Sequence, residues 1–135
     1  MMEKKIVLLG LAAGILSGTI CTAFSIMYKE TMMVDFSPVI KIYQYYSACI
    51  LGCMLASFGF ILLKKITQNY GEILFNLLFT FITIISILGP LLYTFPPALD
   101  VKGIDEITSY FQPFTITLHF FPALAWFTLK PIFKI

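Results

Sequence analysis

The chain has 135 residues, of which 59% are hydrophobic and only 12% are charged, and its mean hydropathy is +0.93. A soluble domain is about 45–50% apolar and about 25% charged, so this chain has too few charges to cover a soluble surface. The high apolar content also excludes a disordered chain. All nine basic residues are lysines and the formal net charge is only +2, so we expect no nucleic-acid partner. The composition predicts a single membrane domain over residues 1–135, with the lipid bilayer around it.

Four apolar segments are each long enough to cross a bilayer core of about 30 Å as a helix. They predict transmembrane helices at residues 6–28, 38–65, 73–94 and 113–130, with an outer loop at 95–112. A backbone in lipid must satisfy its own polar groups, so segments of this length are expected to be helical. The predicted fold is therefore an all-α, four-helix transmembrane bundle.

Helix ends are predicted from proline, glycine and capping residues. Ser37 and Pro38 combine an N-cap serine with a proline at the first helical position, so the second helix is expected to begin there. Pro90, which follows a glycine, is expected to kink the third helix. The first apolar run is longer than the roughly 7–15 residues of a signal peptide core. Because Ile20, not a small residue, precedes Cys21, we expect this helix to be retained.

The lysines predict the orientation in the membrane, because cytoplasmic loops carry an excess of basic residues. With the N-terminus inside, the predicted cytoplasmic side holds Lys4, Lys5, Lys64, Lys65, Lys130 and Lys134. The other side holds Lys29, Lys41 and Lys102. We therefore expect a multi-pass protein of a bacterial inner membrane with both termini in the cytoplasm.

Two rows of small residues at four-residue spacing predict close helix packing. The first helix carries Gly10, Gly14 and Gly18, and the second carries Ala48, Gly52 and Ala56. Such rows form flat grooves in which another helix backbone can approach closely. Two interpretations stay open: packing of the first two helices within one chain, or an interface with a second copy or a membrane partner.

The three cysteines, Cys21, Cys49 and Cys53, all fall in predicted membrane helices. Cys49 and Cys53 are one helical turn apart and do not form a C-x-x-C motif, so we interpret the cysteines as small packing residues. No cluster of residues has the spacing of a metal site, and we expect neither a metal nor another cofactor.

The single histidine, His119, lies at membrane depth, where ionisable groups are rare and are functional hypotheses by default. It shares one helical face with Gln112, Thr115 and Trp126. The third helix offers a second polar face with Asn76, Thr80 and Thr83. These two faces predict a small outward-opening pocket whose ligand contacts are the residues just named. The alternative is that His119 only bonds a neighbouring helix.

The last two predicted helices also carry a short resemblance to a known family. Ser86, Gly89 and Pro90 are followed by His119, which opens the run His-Phe-Phe-Pro-Ala-Leu-Ala-Trp, and Pro131 ends the last helix. In these residues the chain resembles a bacterial family of small four-helix integral membrane proteins of unknown function. The resemblance implies the fold and topology of that family and no activity.

The sequence predicts a membrane protein without enzymatic activity, because no constellation of catalytic residues is visible. Its expected function is to bind a small apolar or amphipathic molecule, or a partner, at the face shared by the third and fourth helices. Two alternatives stay open. One is an accessory subunit of a membrane complex that docks through the glycine row, and the other is a small transporter or channel that works as a homo-oligomer.

Overall fold

The computed structural model describes residues 2–93 and 104–135, with side chains in the second range from residue 109 onward. Every regular element in these two ranges is helical, in agreement with the predicted all-α class. The helices are α1 (Met2–Met32), α2 (Ile42–Thr67), α3 (Gly71–Ser86), α4 (Leu88–Leu92) and α5 (Ile104–Leu129). A 3₁₀ turn, Gln68–Tyr70, joins α2 to α3.

Two helical stretches in the described part of the chain are long and apolar enough to cross a membrane. They are Met2–Met32 and Ile42–Leu92, and the second is interrupted by the turn between α2 and α3. Large apolar side chains point away from the interior; Leu55 is 70% exposed and Leu77 is 66% exposed. A soluble protein rarely exposes continuous apolar surface, so these faces favour a lipid environment.

The second helix begins later than its sequence predicts. Ser37 does not cap it; its N–H instead donates to Oδ1 of Asp35, at 2.8 Å. The helix begins at Ile42, where Oε1 of Gln44 accepts the N–H of Lys41 at 2.6 Å. The glutamine side chain satisfies an otherwise free donor at the first turn, and it decides where α2 begins.

The last helix begins earlier than predicted, at Ile104 instead of residue 113. Residues 104–112 of the expected outer loop are thus helical, and the rest of the loop lies outside the described residues. Pro113 is inside α5 and does not start it. Phe111 and Phe114, on either side of Pro113, both pack on Phe36: Phe111 meets it edge to face at 5.3 Å between ring centroids, and Phe114 stacks on it at 5.1 Å. This packing holds helical turns on both sides of the proline.

The third predicted helix breaks close to the expected kink. α3 ends at Ser86 and the short α4 begins at Leu88. Pro90 has no N–H to donate to the carbonyl of Ser86, which lies four residues earlier. The interruption is therefore one turn ahead of the proline.

The first helix, α1, runs antiparallel to α2, and α2 runs antiparallel to α3, while α1 packs between α2 and α5. One cluster of core side chains, near the start of α1, surrounds Trp126 and contains Phe60 and Phe75. A second cluster, near the end of α1, contains Phe36 and Phe114. Between these clusters α2 is separated from α3 and α5, and this separation leaves a groove.

Candidate functional site

A groove of about 900 Å³ lies between α2, α3 and α5, with Cys21 of α1 at its back. It extends from Val39, in the link before α2, to Leu63 in the last part of α2. Its walls are mostly aliphatic and aromatic, and polar side chains are few. Pockets that hold small molecules have volumes of about 300–1,000 Å³ and the same mixed character. The groove is the candidate functional site of this protein.

Small residues of α2 form the floor of the groove and give it its width. Ala48, Gly52, Ala56 and Gly59 all line it. A Cβ atom added to Gly52 would meet nothing within 4 Å, apart from its own helix. Ala48 and Gly52 therefore face the groove instead of the first helix, whereas Ala56, the third residue of the predicted row, is buried in the core cluster that contains Leu9 of α1.

The glycine row of α1 faces α2 within the same chain. A Cβ atom on Gly14 would lie 2.6 Å from Cα of Ile50, and one on Gly18 would lie 2.7 Å from the Tyr46 ring. On Gly10 it would lie 2.5 Å from Oγ of Ser57. The residues of α2 that receive the glycine row are thus Tyr46, Ile50 and Ser57, on a different face from Ala48 and Gly52.

His119 lines the groove beside Pro122 and is partly buried. Its Nδ1 is 2.7 Å from the backbone carbonyl oxygen of Thr115. A carbonyl can only accept a hydrogen bond, so Nδ1 carries the proton and donates it. In the neutral ring this assignment leaves Nε2 as an acceptor, which has no protein partner among the described residues.

Two predicted contact residues lie in the groove with His119. They are Thr83 and Thr115, and Ser86 joins them from the end of α3. Each hydroxyl donates to a carbonyl of its own helix: Thr83 to Phe79 at 2.8 Å, Ser86 to Thr83 at 2.7 Å, and Thr115 to Phe111 at 2.8 Å. The sequence thus identified part of the polar lining, and it missed Ser86 as a lining residue.

The other predicted contact residues lie elsewhere. Trp126 is fully buried in the core and donates its indole N–H to Ser57 Oγ. Nε2 of Gln112 donates to the carbonyl of Leu91, at 3.3 Å. Thr80 is exposed, and neither it nor Asn76 lines the groove. None of these four predicted contact residues lines the groove.

Asn76 has an unusual environment, although it is outside the groove. Its Oδ1 is buried and has no hydrogen-bond partner among the described residues. An orphaned buried acceptor costs about 1–3 kcal/mol. We expect this acceptor to reduce the stability of α3.

Two thiols meet at the back of the groove. Sγ of Cys21 in α1 lies 3.7 Å from Sγ of Cys49 in α2, and both residues are buried. Cys53 donates instead to the carbonyl of Pro122, at 3.6 Å. The spacing of cysteines in the sequence indicates only which of them are close within one helix. It therefore did not predict this contact between two helices.

A buried lysine, Lys130, follows the last residue of α5 and lies beside the first turn of α3. Lys130 is only 8% exposed, pairs with Glu72, and lies 5.0 Å above the centre of the Phe60 ring. The amine thus makes an ion pair and a cation–π contact at once. From the sequence, Lys130 is predicted only to be a cytoplasmic charge. The sequence does not show that the packing of α3 against α5 places Glu72 beside Lys130.

No group of three histidine, cysteine or acidic residues is placed to hold a metal ion in the part of the chain that the structure describes. Comparison with protein-family models, with curated proteins and with solved structures finds no match to this chain. The resemblance of the last two predicted helices to a small four-helix membrane family stays a prediction.

Proposed function

We propose that this protein binds a small apolar or amphipathic molecule within the membrane, in the groove between α2, α3 and α5. The observation that carries the proposal is the groove of about 900 Å³, whose floor is kept open by Gly52. Small side chains in membrane helices ordinarily allow two helices to approach closely. Here Ala48 and Gly52 of α2 face open space, which suits an occupant other than a helix of this chain.

The lining supports a small-molecule occupant. Its long walls are apolar, and its few polar side chains include His119, Thr83 and Thr115. An apolar wall with a few converging polar groups is the usual composition of a ligand site. We infer a ligand whose apolar body lies along α2 and whose polar end reaches His119.

The membrane arrangement is part of the proposal. We propose that four segments cross the membrane (α1, α2, α3 with α4, and α5), with both termini in the cytoplasm of a bacterial cell. Support comes from the charges, because the ends of these helices gather Lys4, Lys5, Lys64, Lys65 and Lys130 on one side of the array. Such a side is expected to be cytoplasmic. In this orientation His119, Thr83 and Thr115 lie at membrane depth.

Filling the groove tests the proposal. Gly52→Phe places a ring in the groove without meeting protein atoms at its Cβ. The probe is hexadecanol that carries a diazirine near the end of its chain, added to the protein in phospholipid nanodiscs and activated by light. We expect peptide mass spectrometry to find the label on groove-lining residues of the wild type, and Gly52→Phe to lose most of it.

The matched control is Leu51→Phe, which places the same ring on an exposed face of α2 outside the groove. We expect this variant to label as the wild type does. Equal labelling of the wild type and Gly52→Phe, or labels spread evenly over the exposed helix faces, would show that the groove is not a binding site.

Docking of a partner through the glycine row has less support. α2 already fills this face of α1, since Cβ atoms on Gly10, Gly14 and Gly18 would all collide with it. A partner at this row would have to displace α2. We therefore place the function in the groove.

A further inference from the structure

We propose that the ligand of the groove is an uncharged apolar molecule that carries a hydrogen-bond donor, most simply a hydroxyl group, and that it donates to His119. This inference rests on the proposed function and specifies the class of ligand. It follows from how the polar groups around His119 already use their protons.

The polar side chains of α3 and α5 that line the groove with His119 already donate their hydrogen bonds to carbonyls of their own helices. Nδ1–H of His119 donates to the Thr115 carbonyl, and the hydroxyl groups of Thr83, Ser86 and Thr115 each donate to a backbone carbonyl. A hydroxyl has one proton to give and two lone pairs to accept with, and a neutral imidazole has one of each. These four side chains therefore have acceptors left for a ligand and no strong donor.

Two prolines add acceptors to the same wall. Pro122 cannot donate to the carbonyl of Leu118, and Pro90 cannot donate to the carbonyl of Ser86. Leu118, Pro122 and Ser86 all line the groove. In a membrane, where water does not compete, carbonyls that lack their helical donor favour a ligand that brings one.

The other groove-lining donors in the described part of the chain are exposed, already engaged or weak. The amide of Gln44 is on an exposed side chain in the first turn of α2, and the hydroxyl of Tyr45 already donates to Ser25. The Cys21 and Cys49 thiols are weak donors and face each other. A carboxylate would meet only the lone pairs of other acceptors beside His119, whereas a hydroxyl group can donate a hydrogen bond to one of them.

Competition between three molecules with the same chain tests the inference. The protein in nanodiscs is labelled with the diazirine hexadecanol in the presence of unlabelled hexadecanol, hexadecyl methyl ether or palmitate. The ether keeps the oxygen and loses the donor, and palmitate adds a negative charge. We expect hexadecanol to compete at an about threefold to tenfold lower mole fraction than the ether, the range of one hydrogen bond inside a membrane. Palmitate should compete worst.

Two variants assign this preference to the acceptor wall. His119→Phe keeps a ring and removes Nε2, so the advantage of the alcohol over the ether should disappear while labelling in the groove persists. Thr83→Val removes one hydroxyl with little change of shape and should reduce the advantage, and it serves as the test if His119→Phe does not fold.

The outcomes separate the two proposals. If the groove is labelled but the ether competes as well as the alcohol, or palmitate competes best, the donor inference is wrong and the proposed binding function stands. If the alcohol keeps its full advantage in both variants, His119 and Thr83 do not receive the donor, which also overturns the inference. If no label enters the groove, both proposals fail.

Discussion

Nε1 of Trp126 donates a hydrogen bond to Oγ of Ser57 at 3.1 Å, and this bond joins α5 to α2 in the most buried part of the array. Both side chains have 0% exposure. Gly10 of α1 lies against the same serine, because a Cβ atom there would be 2.5 Å from Ser57 Oγ. Three helices thus meet at one hydroxyl.

Removing this hydroxyl should destabilise the fold. In Ser57→Ala the buried indole N–H loses its acceptor, which costs about 1–3 kcal/mol. We expect a lower midpoint of thermal unfolding for the protein in detergent. Ser47→Ala is the control, because the Ser47 hydroxyl is exposed and bonds only within its helix. Equal midpoints for the two variants would show that the Trp126 bond contributes nothing.

Two glycines should respond in opposite ways to the same change. Gly14→Leu forces a side chain against the backbone of Ile50, 2.6 Å from the Cβ position, whereas Gly52→Leu extends into open groove. We expect Gly14→Leu to separate α1 from α2 and to abolish recovery of folded protein. Gly52→Leu should fold, because leucine also favours a helix over glycine by up to about 1 kcal/mol. Size-exclusion chromatography of both variants measures this, and a folded, dissociated Gly14→Leu would instead favour a subunit interface.

An added oxidant should cross-link Cys21 to Cys49. Their sulfur atoms are 3.7 Å apart, whereas Cys53 is directed to Pro122. In a Cys53→Ser background, copper phenanthroline should form a disulfide within the chain and block maleimide labelling of both cysteines. Cys49→Ser is the control and should leave Cys21 free to label. Persistence of two labelled thiols after oxidation would contradict the contact between Cys21 and Cys49.

The ion pair between Glu72 and Lys130 should matter more than the one between Glu3 and Lys65. The Lys130 side chain is 10% exposed, whereas both partners of the second pair are more than half exposed. Exposed pairs contribute about 0–1 kcal/mol, and a buried charge that loses its partner costs more. We therefore expect Glu72→Gln to lower the unfolding temperature clearly and Glu3→Gln to leave it nearly unchanged. The opposite order would show that Lys130 does not depend on Glu72.

The link between α1 and α2 should keep its conformation at acidic pH. Lys29 Nζ is 2.7 Å from Asp35, whose carboxylate also accepts the Ser37 N–H. These contacts, the lysine first, lower the pKa of Asp35 from 3.8 to about 2. A lowered pKa means that the contribution of Asp35 to stability is present above its ordinary pKa and is lost as the pH falls toward about 2. Carbon-13 NMR of the Asp35 carboxyl group should give this pKa, and Lys29→Met should return it toward the ordinary value.

The sequence determined the features that depend on local chemistry. Its apolar segments required helices that favour lipid, because their backbones can satisfy their own hydrogen bonds there. Pro90 interrupted a helix at the expected place, since a missing N–H acts on its own turn. Helical periodicity correctly put Thr115 and His119 on one face, and the lack of a side chain at Gly14 allowed a second helix to come close.

The tertiary structure alone decided what each face meets. Trp126 shares the predicted face of His119, yet the helices close around Trp126 and stand apart beside His119. The small rows of α1 and α2 look alike in sequence, but the glycines of α1 face a helix, whereas Ala48 and Gly52 of α2 face the groove. Periodicity shows which residues point the same way along a helix. The rotation of each helix and the spacing between helices depend on contacts distant in sequence, such as the bond between Trp126 and Ser57, and these decided where the groove opens.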